Sequence, residues 1–406
     1  MDLTLHSEFG TLKSVITHRP GPEIERLTPY NTSELLFEDV PYLEVMQKEH
    51  DQFTTLIRET TGATVYRLHD LLVEILIKGS ILSDIFKKNL SPHGLEKYVP
   101  DITFRYSTSE CASMLIAGIK VKELMKKFTC PELEKMDGAM YLIQPCPNQY
   151  FMRDPASVVQ NGVICSQMKY PSRQRESNLI KLIFENHKLF KDSFRQIYPT
   201  DAMNDNIPSI EGGDVIVLSN KALAIGSSER TDSDAIKKVA AAVLKDEKVE
   251  RVYEVDLPPK RNFMHLDTVF TIIDENLAVT YPDAMNSVLR TTVYRKGKED
   301  SDGNMTLDEE VIDESITTVL KKEMPYLEVI ETGAGNPDFS SKEQWYDGAN
   351  VFAIGPRRVI SYNRNKFTNR ALREAGVEVV ETSSSELSRG LGGPRCMTMP
   401  LERQVF

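Results

Sequence analysis

Pairs of short apolar runs, each split by a turn, recur along the chain. Ser157–Val159 and Val163–Cys165 flank Asn161-Gly162, a dipeptide suited to the positive φ angles of a tight hairpin turn. Val215–Leu218 and Ala222–Ile225 repeat the pattern around Ser219-Asn220-Lys221, and Val269–Ile273 and Leu277–Thr280 around Asp274-Glu275-Asn276. Val351–Ile354 and Arg358–Ser361 do so across Gly355-Pro356. Behind each hairpin the apolar period lengthens to that of a helix and then shortens again to that of a strand. The helix and strand expected are 176–190 and 194–198, 233–245 and 250–255, 307–323 and 327–331, and 367–375 and 377–381. Near the N-terminus, 41–60 carries Leu43, Met46, His50, Phe53 and Ile57 at helical spacing, followed by a strand at 64–68.

These make five helix–strand units. The first has only half a hairpin, at 14–18, and the missing strand is supplied by 397–401, which would close a ring by pairing the two ends of the chain. The unequal spacing of the hairpins argues against a solenoid. The expected class is α/β, a closed five-unit α/β ring or propeller, with a doubly wound sheet and appended helices as the alternative. Residues 71–139 interrupt the repeat with helical signals only, at 72–88, 108–127 and 131–136. They read as an all-helical insertion, leaving 1–70 and 140–406 as the α/β body.

Composition narrows the function. Apolar residues make up 40% and charged residues 27% of 406, as in ordinary globular chains. The 49 Lys and Arg against 60 Asp and Glu give a net charge of −11, which argues against nucleic-acid binding and suits a cationic ligand. No run approaches the length of a membrane span, and the N-terminus has neither the basic nor the apolar part of a secretory signal. The cysteines at 111, 130, 146, 165 and 396 are sparse, odd in number and without metal-site spacing, so they read as cytosolic thiols. Four are expected to be buried small hydrophobes.

Polar clusters stand at matching places, just ahead of the first strand of a hairpin. They are Asn148 to Pro155, Glu211-Gly212-Gly213-Asp214, Met264-His265-Leu266-Asp267-Thr268 and Trp345 to Asn350, with Leu391-Gly392-Gly393-Pro394-Arg395-Cys396 ahead of the last strand. Taken singly, each has a plain structural reading: Asp154 before Pro155 as a turn residue, His265 as a packed histidine, the double glycine as a tight turn. In a ring, matching positions converge on the axis and bring Cys396, His265, Glu211, Asp154 and Asp267 into one acidic pocket. The alternation about Leu266 puts His265 and Asp267 on the same face of a strand. A thiolate nucleophile needs a base or a cationic neighbour. His265 can move protons and Glu211 can orient its ring. Two further carboxylates suit a planar cation with several N–H groups, because carboxylates pair bidentately with guanidinium. One histidine among scattered carboxylates lacks the spacing of a metal site.

At these residues the sequence resembles the arginine deiminase family of guanidino-modifying enzymes. The likeness runs through Leu35-Leu36-Phe37-Glu38-Asp39, Phe151-Met152-Arg153-Asp154-Pro155, the three clusters at Glu211, Met264 and Glu343 to Gly348, and Gly392-Gly393-Pro394-Arg395-Cys396-Met397. The resemblance implies a pentein, a five-bladed pseudo-symmetric α/β propeller, carrying a helical insertion. It also implies hydrolysis of L-arginine to L-citrulline and ammonia without metal or cofactor, in the cytoplasm, by a homodimer or homotetramer. Carried over by motif, Cys396 resembles the nucleophile, His265 the general acid and base, Glu211 its support, and Asp154 and Asp267 the guanidinium clamps. Arg230 and Arg173 resemble the partners of the substrate carboxylate, with Arg175 two residues from Arg173, while Asn148 and Phe151 resemble further substrate contacts. Some members carry arginine five residues before the nucleophile, where Leu391 stands here. The related alternatives are an amidinotransferase, a methylarginine hydrolase or a non-catalytic homologue.

Overall fold

The computed structural model describes all residues except 2, 200–206, 246–247, 259–260, 288–289, 300–304 and 406. Its strands fall into separate sheets, and five of these repeat one topology. A middle strand pairs antiparallel with one neighbour and parallel with the other. In the first unit the middle strand is Leu12–Thr17, antiparallel to Met399–Arg403 and parallel to Thr64–Arg67. The second joins Ala156–Val159, Gly162–Cys165 and Gln196–Tyr198. Val215–Ser219, Ala222–Ser227 and Arg251–Asp256 form the third, Phe270–Asp274, Leu277–Thr280 and Glu328–Glu331 the fourth. Phe352–Gly355, Arg358–Tyr362 and Glu378–Thr382 form the fifth. The parallel pairing demands a crossover, supplied in turn by helices Leu43–Thr61, Gln174–Asn186, Ser233–Val243, Ile316–Glu323 and Lys366–Glu374. No single sheet closes on itself among the described residues.

The expected pairing of the chain ends is present: Ile16 lies opposite Met399 and Val15 opposite Pro400. Helix Leu43–Thr61 buries Met46, His50, Phe53 and Ile57, the apolar stripe of the sequence. It stops at Gly62, whose φ of 70° only glycine adopts freely, and whose N–H bonds the Arg58 carbonyl.

Six expectations need correction. The helix expected over 307–323 is confined to Ile316–Glu323, and its first half belongs to strand Met305–Ile312, paired with Thr291–Glu299. That partner opens Thr291-Thr292-Val293-Tyr294, a strand-favouring run, and its ladder overrides the helical spacing. The helix expected over 72–88 begins at Leu68 and is broken in two, Leu68–Leu76 and Gly79–Leu90. The one expected over 108–127 ends at Ala117, because Gly118 has φ 69° and a Cβ there would lie 2.5 Å from the Ile143 carbonyl oxygen. Ile119–Lys120 then pairs with Tyr141–Ile143, so this region is not purely helical, and 131–136 holds only the 3-10 turn Leu133–Lys135. Finally, His265 and Asp267 lie on no strand: Leu266–Thr268 is a 3-10 turn.

Candidate active site

Short 3-10 turns leading towards the hairpins carry much of the site. Pro147–Tyr150 presents Asn148, Gly212–Asp214 follows Glu211, and Leu266–Thr268 holds Asp267 directly after His265. Asp214 locks two of the turns together, accepting from Leu266 N at 2.8 Å, Thr231 Oγ1 at 2.6 Å and Ser228 Oγ at 2.7 Å. Glycine lets the parts approach. A Cβ at Gly213 would lie 2.5 Å from His265 Nδ1, and one at Gly392 only 2.1 Å from the Phe151 ring.

Cys396, His265, Glu211, Asp154 and Asp267 do come together, and all five are buried. Cys396 Sγ lies 3.6 Å from Asp267 Oδ2. Asn350 fixes that pair, accepting from Cys396 N at 3.1 Å while donating to the Asp267 carbonyl at 3.0 Å. His265 Nε2 is 2.9 Å from Glu211 Oε2, and its Nδ1 is 3.7 Å from Asp154 Oδ1. Asp154 Oδ1 and Asp267 Oδ1 are buried and accept no hydrogen bond. A cavity of about 20 Å³ lies among Asp154, His265, Cys396, Arg173, Arg230, Asn148 and Phe151.

The arginines are committed to carboxylates here. Arg173 pairs with Asp154 at 2.8 Å and Glu176 at 2.8 Å, and lies 3.8 Å from Glu211. Arg230 reaches Glu211 at 3.4 Å and covers the Tyr170 ring. Arg175 points elsewhere, donating to the Gln144 and Leu115 carbonyls, which separates it from Arg173. Asn148 donates to the Leu35 carbonyl at 2.7 Å. That carbonyl belongs to a strap pinned by the ion pairs Glu38–Arg261 and Asp39–Arg389.

Electrostatics divide the site. Burial lowers the pKa of His265, but Asp154, Glu211 and Asp214 outweigh it and raise the imidazole to about 9. Burial alone would raise the Glu211 carboxyl. The His265 hydrogen bond and the nearby guanidiniums hold it at about 2 instead. The thiol lies in an acidic pocket, as its matching position ahead of the strand led one to expect. Burial, then Asp267, Asp154 and Asp347, push Cys396 well above the usual thiol range. Its surroundings are anionic, and the adjacent Arg395 is spent on Asp267 at 2.7 Å and Glu8 at 3.0 Å. A cation joining these carboxylates would lower the thiol pKa.

Asp154, Glu211 and His265 offer ligand atoms within 4.8 Å of one another. Arg173 and Arg230 already crowd that cluster with positive charge, which disfavours a metal cation there.

The family model for arginine deiminase matches residues 33–403. An arginine deiminase from Listeria monocytogenes serotype 4a is 38% identical over 408 residues, covering 99% of this chain and 98% of its own. The chain belongs to the arginine deiminase family. Two solved structures share the fold of this arginine deiminase family chain. The N-terminal domain of ArgZ, a cyanobacterial arginine dihydrolase, has a TM-score of 0.55 at 15% identity, covering 96% of this chain and 97% of that one. SxtG, an amidinotransferase from Microseira wollei, has a TM-score of 0.55 at 15% identity, covering 100% and 98%.

Sequence reasoning about this family member missed Glu8, Glu176 and Arg395. Glu176 buries against Arg173, and burial, opposed by that guanidinium, raises it to about 7. Glu8 joins Arg395 and Arg153 from a segment of the chain without any helical or strand periodicity. Only the Arg395-Cys396 adjacency offered a signal.

Proposed function

We propose that this protein hydrolyses L-arginine to L-citrulline and ammonia through a covalent thiouronium on Cys396. One observation carries the reading: two buried carboxylate oxygens without donors, Asp154 Oδ1 and Asp267 Oδ1, beside a thiol and an imidazole. A guanidinium supplies the missing N–H donors and brings positive charge beside the thiol. Its arrival lets the thiol proton go to solvent, and Sγ attacks the guanidinium carbon. The His265 imidazolium then protonates the departing nitrogen, ammonia leaves, and a cationic S-alkyl thiouronium remains. Neutral His265 next takes a proton from water as the oxygen attacks the same carbon. The carbon–sulfur bond breaks, and the ureido group returns a proton to the thiolate. Glu211 orients and charges the imidazole through its 2.9 Å bond.

Arg230, Arg173, Asn148 and Phe151 receive the amino-acid end, with Arg173 turning from Asp154 to the substrate carboxylate. The fold reading is a five-bladed pentein propeller made by 1–70 and 140–406, with 71–139 inserted; five repeated sheet topologies support it. Five free buried cysteines support a cytoplasmic setting. No helix among the described residues is long and apolar enough to cross a membrane. A homodimer or homotetramer follows from the family likeness and is read by light scattering. The deciding experiment incubates the purified protein with arginine, agmatine and methylarginine and assays ammonia and ureido product. Ammonia and citrulline from arginine support the reading; none refutes it.

A further inference from the structure

A second cavity, of about 230 Å³, adjoins the site and shares Met264, Thr268 and Leu391 with it. Its rim includes Trp345, which is 54% exposed, so it links the interior to solvent. Its wall holds a carboxyl group that the mechanism above does not use. Asp347 is only 5% exposed, and its Oδ2 has no hydrogen-bond partner. No cation pairs with it among the described residues, although Arg261 and Glu38 line the same cavity and pair with each other. Its backbone is held at φ 55°, and Leu391 across the cavity at φ 56°, the kind of strain that gathers at working sites. The charged and titratable groups acting near it are Asp267, Cys396, Tyr150 and Tyr362. A buried carboxyl with an anionic neighbour and no cation keeps its proton. Burial, then Asp267, accordingly push Asp347 well above the carboxylate range.

The hydrolase reading above, on which this rests, creates a need at this place. Ammonia must leave and water must arrive while the thiouronium is still bound to Cys396. Arg173, Arg230 and Asn148, the receivers of the amino-acid end, line the small cavity and not this chamber. We propose that the chamber is the route by which ammonia leaves and water enters, and that Asp347 gives ammonia a proton on its way out. The Asp347 O–H bond breaks and an N–H bond forms. The ammonium produced has no lone pair with which to attack the thiouronium carbon. The carboxylate then recovers a proton from bulk water through the chamber mouth. Asp347 thereby suppresses reversal of the first half-reaction.

The test is reversal itself. Wild type and Asp347→Asn turn over arginine in the presence of ammonium labelled with heavy nitrogen. Heavy nitrogen in the unreacted arginine is then measured per citrulline formed, a ratio that a general loss of activity does not move. Asparagine tolerates positive φ, so the backbone is preserved, and the unfolding midpoint checks it. The ratio should rise several-fold in the variant; an unchanged ratio overturns the proposal. A second measurement needs no variant. In wild type at fixed free ammonia, the ratio should climb with pH as Asp347 loses its proton, and a flat profile overturns the proposal equally. Failure of the underlying reading would look different, since wild type would then form no citrulline.

Discussion

Replacing Asp267 with asparagine should move thiol ionisation and catalysis in opposite senses. Asp267 Oδ2 lies 3.6 Å from Cys396 Sγ. At that separation two like charges repel by about 4 to 5 kcal/mol at an effective dielectric constant of about 20. Arg395, at 2.7 Å from the same oxygen, offsets part of this. Asparagine removes the anion and leaves the guanidinium, so the thiol pKa should fall. The same change removes a buried partner of the substrate cation, worth roughly 2–5 kcal/mol. The value of kcat/KM for arginine should therefore drop by about 30-fold to several-thousand-fold. The first quantity is read from the pH dependence of alkylation by iodoacetamide, with peptide mapping to separate Cys396 from the other four thiols. The second comes from steady-state citrulline formation. A thiol that titrates unchanged or higher in a variant with normal melting would refute the electrostatic account of this site.

Cys396→Ala should abolish turnover without altering the melting profile, and wild type should keep full activity after exhaustive chelation; ammonia release and circular dichroism check both. His265→Ala should lower kcat on the order of 10²–10⁴-fold, and Glu211→Ala less, with a silent Glu211 variant contradicting its support of the imidazole. Arg230→Leu should harm arginine far more than agmatine, which lacks the carboxylate, so comparing kcat/KM for both substrates separates recognition from structural damage. Glu8 sits at about 2 in the fold against an ordinary 4.5, where burial, which raises it, loses to Arg395, Arg153 and Arg403. Its contribution to stability is therefore complete above pH 4.5 and lost as pH falls towards 2. Glu8→Gln should lower stability at neutral pH by about 3–5 kcal/mol and flatten that acid dependence, as read by denaturant titration at several pH values.

The repeat was legible because hairpin and crossover helix carry different apolar periods. The Asn161-Gly162 dipeptide marks its hairpin one residue late: the loop is Gln160-Asn161, Gln160 takes the positive φ of 54°, and Gly162 opens the next strand opposite Val159. Strand Met305–Ile312 was not, since Leu307 and Val311 are spaced as a helix would space them and only the partner strand decides. The five central residues were legible through their matching positions ahead of the strands. The true support of His265 and Asp267, a 3-10 turn at Leu266–Thr268, was hidden because a single turn has no period. The acidic pocket around Cys396 was legible in the same way as the five central residues, but the buried pairing of Arg395 was not. Arg395 adjoins the thiol in sequence, yet Asp267 and Glu8, both remote in sequence, take its charge.

The pairing of Met399–Arg403 with Leu12–Thr17 also sets a timetable. Contacts between segments so far apart in sequence carry the largest loop-closure cost and belong to the slow end of folding. Cys396 and Arg395 stand immediately ahead of that last strand, so they meet Asp267 and Glu8 only when this seam shuts. A partly folded chain can already hold its other four sheets and still have no reactive centre. In the finished molecule the same seam holds the nucleophile in place: opening this one strand pair would withdraw Cys396 while the other strand pairings stand.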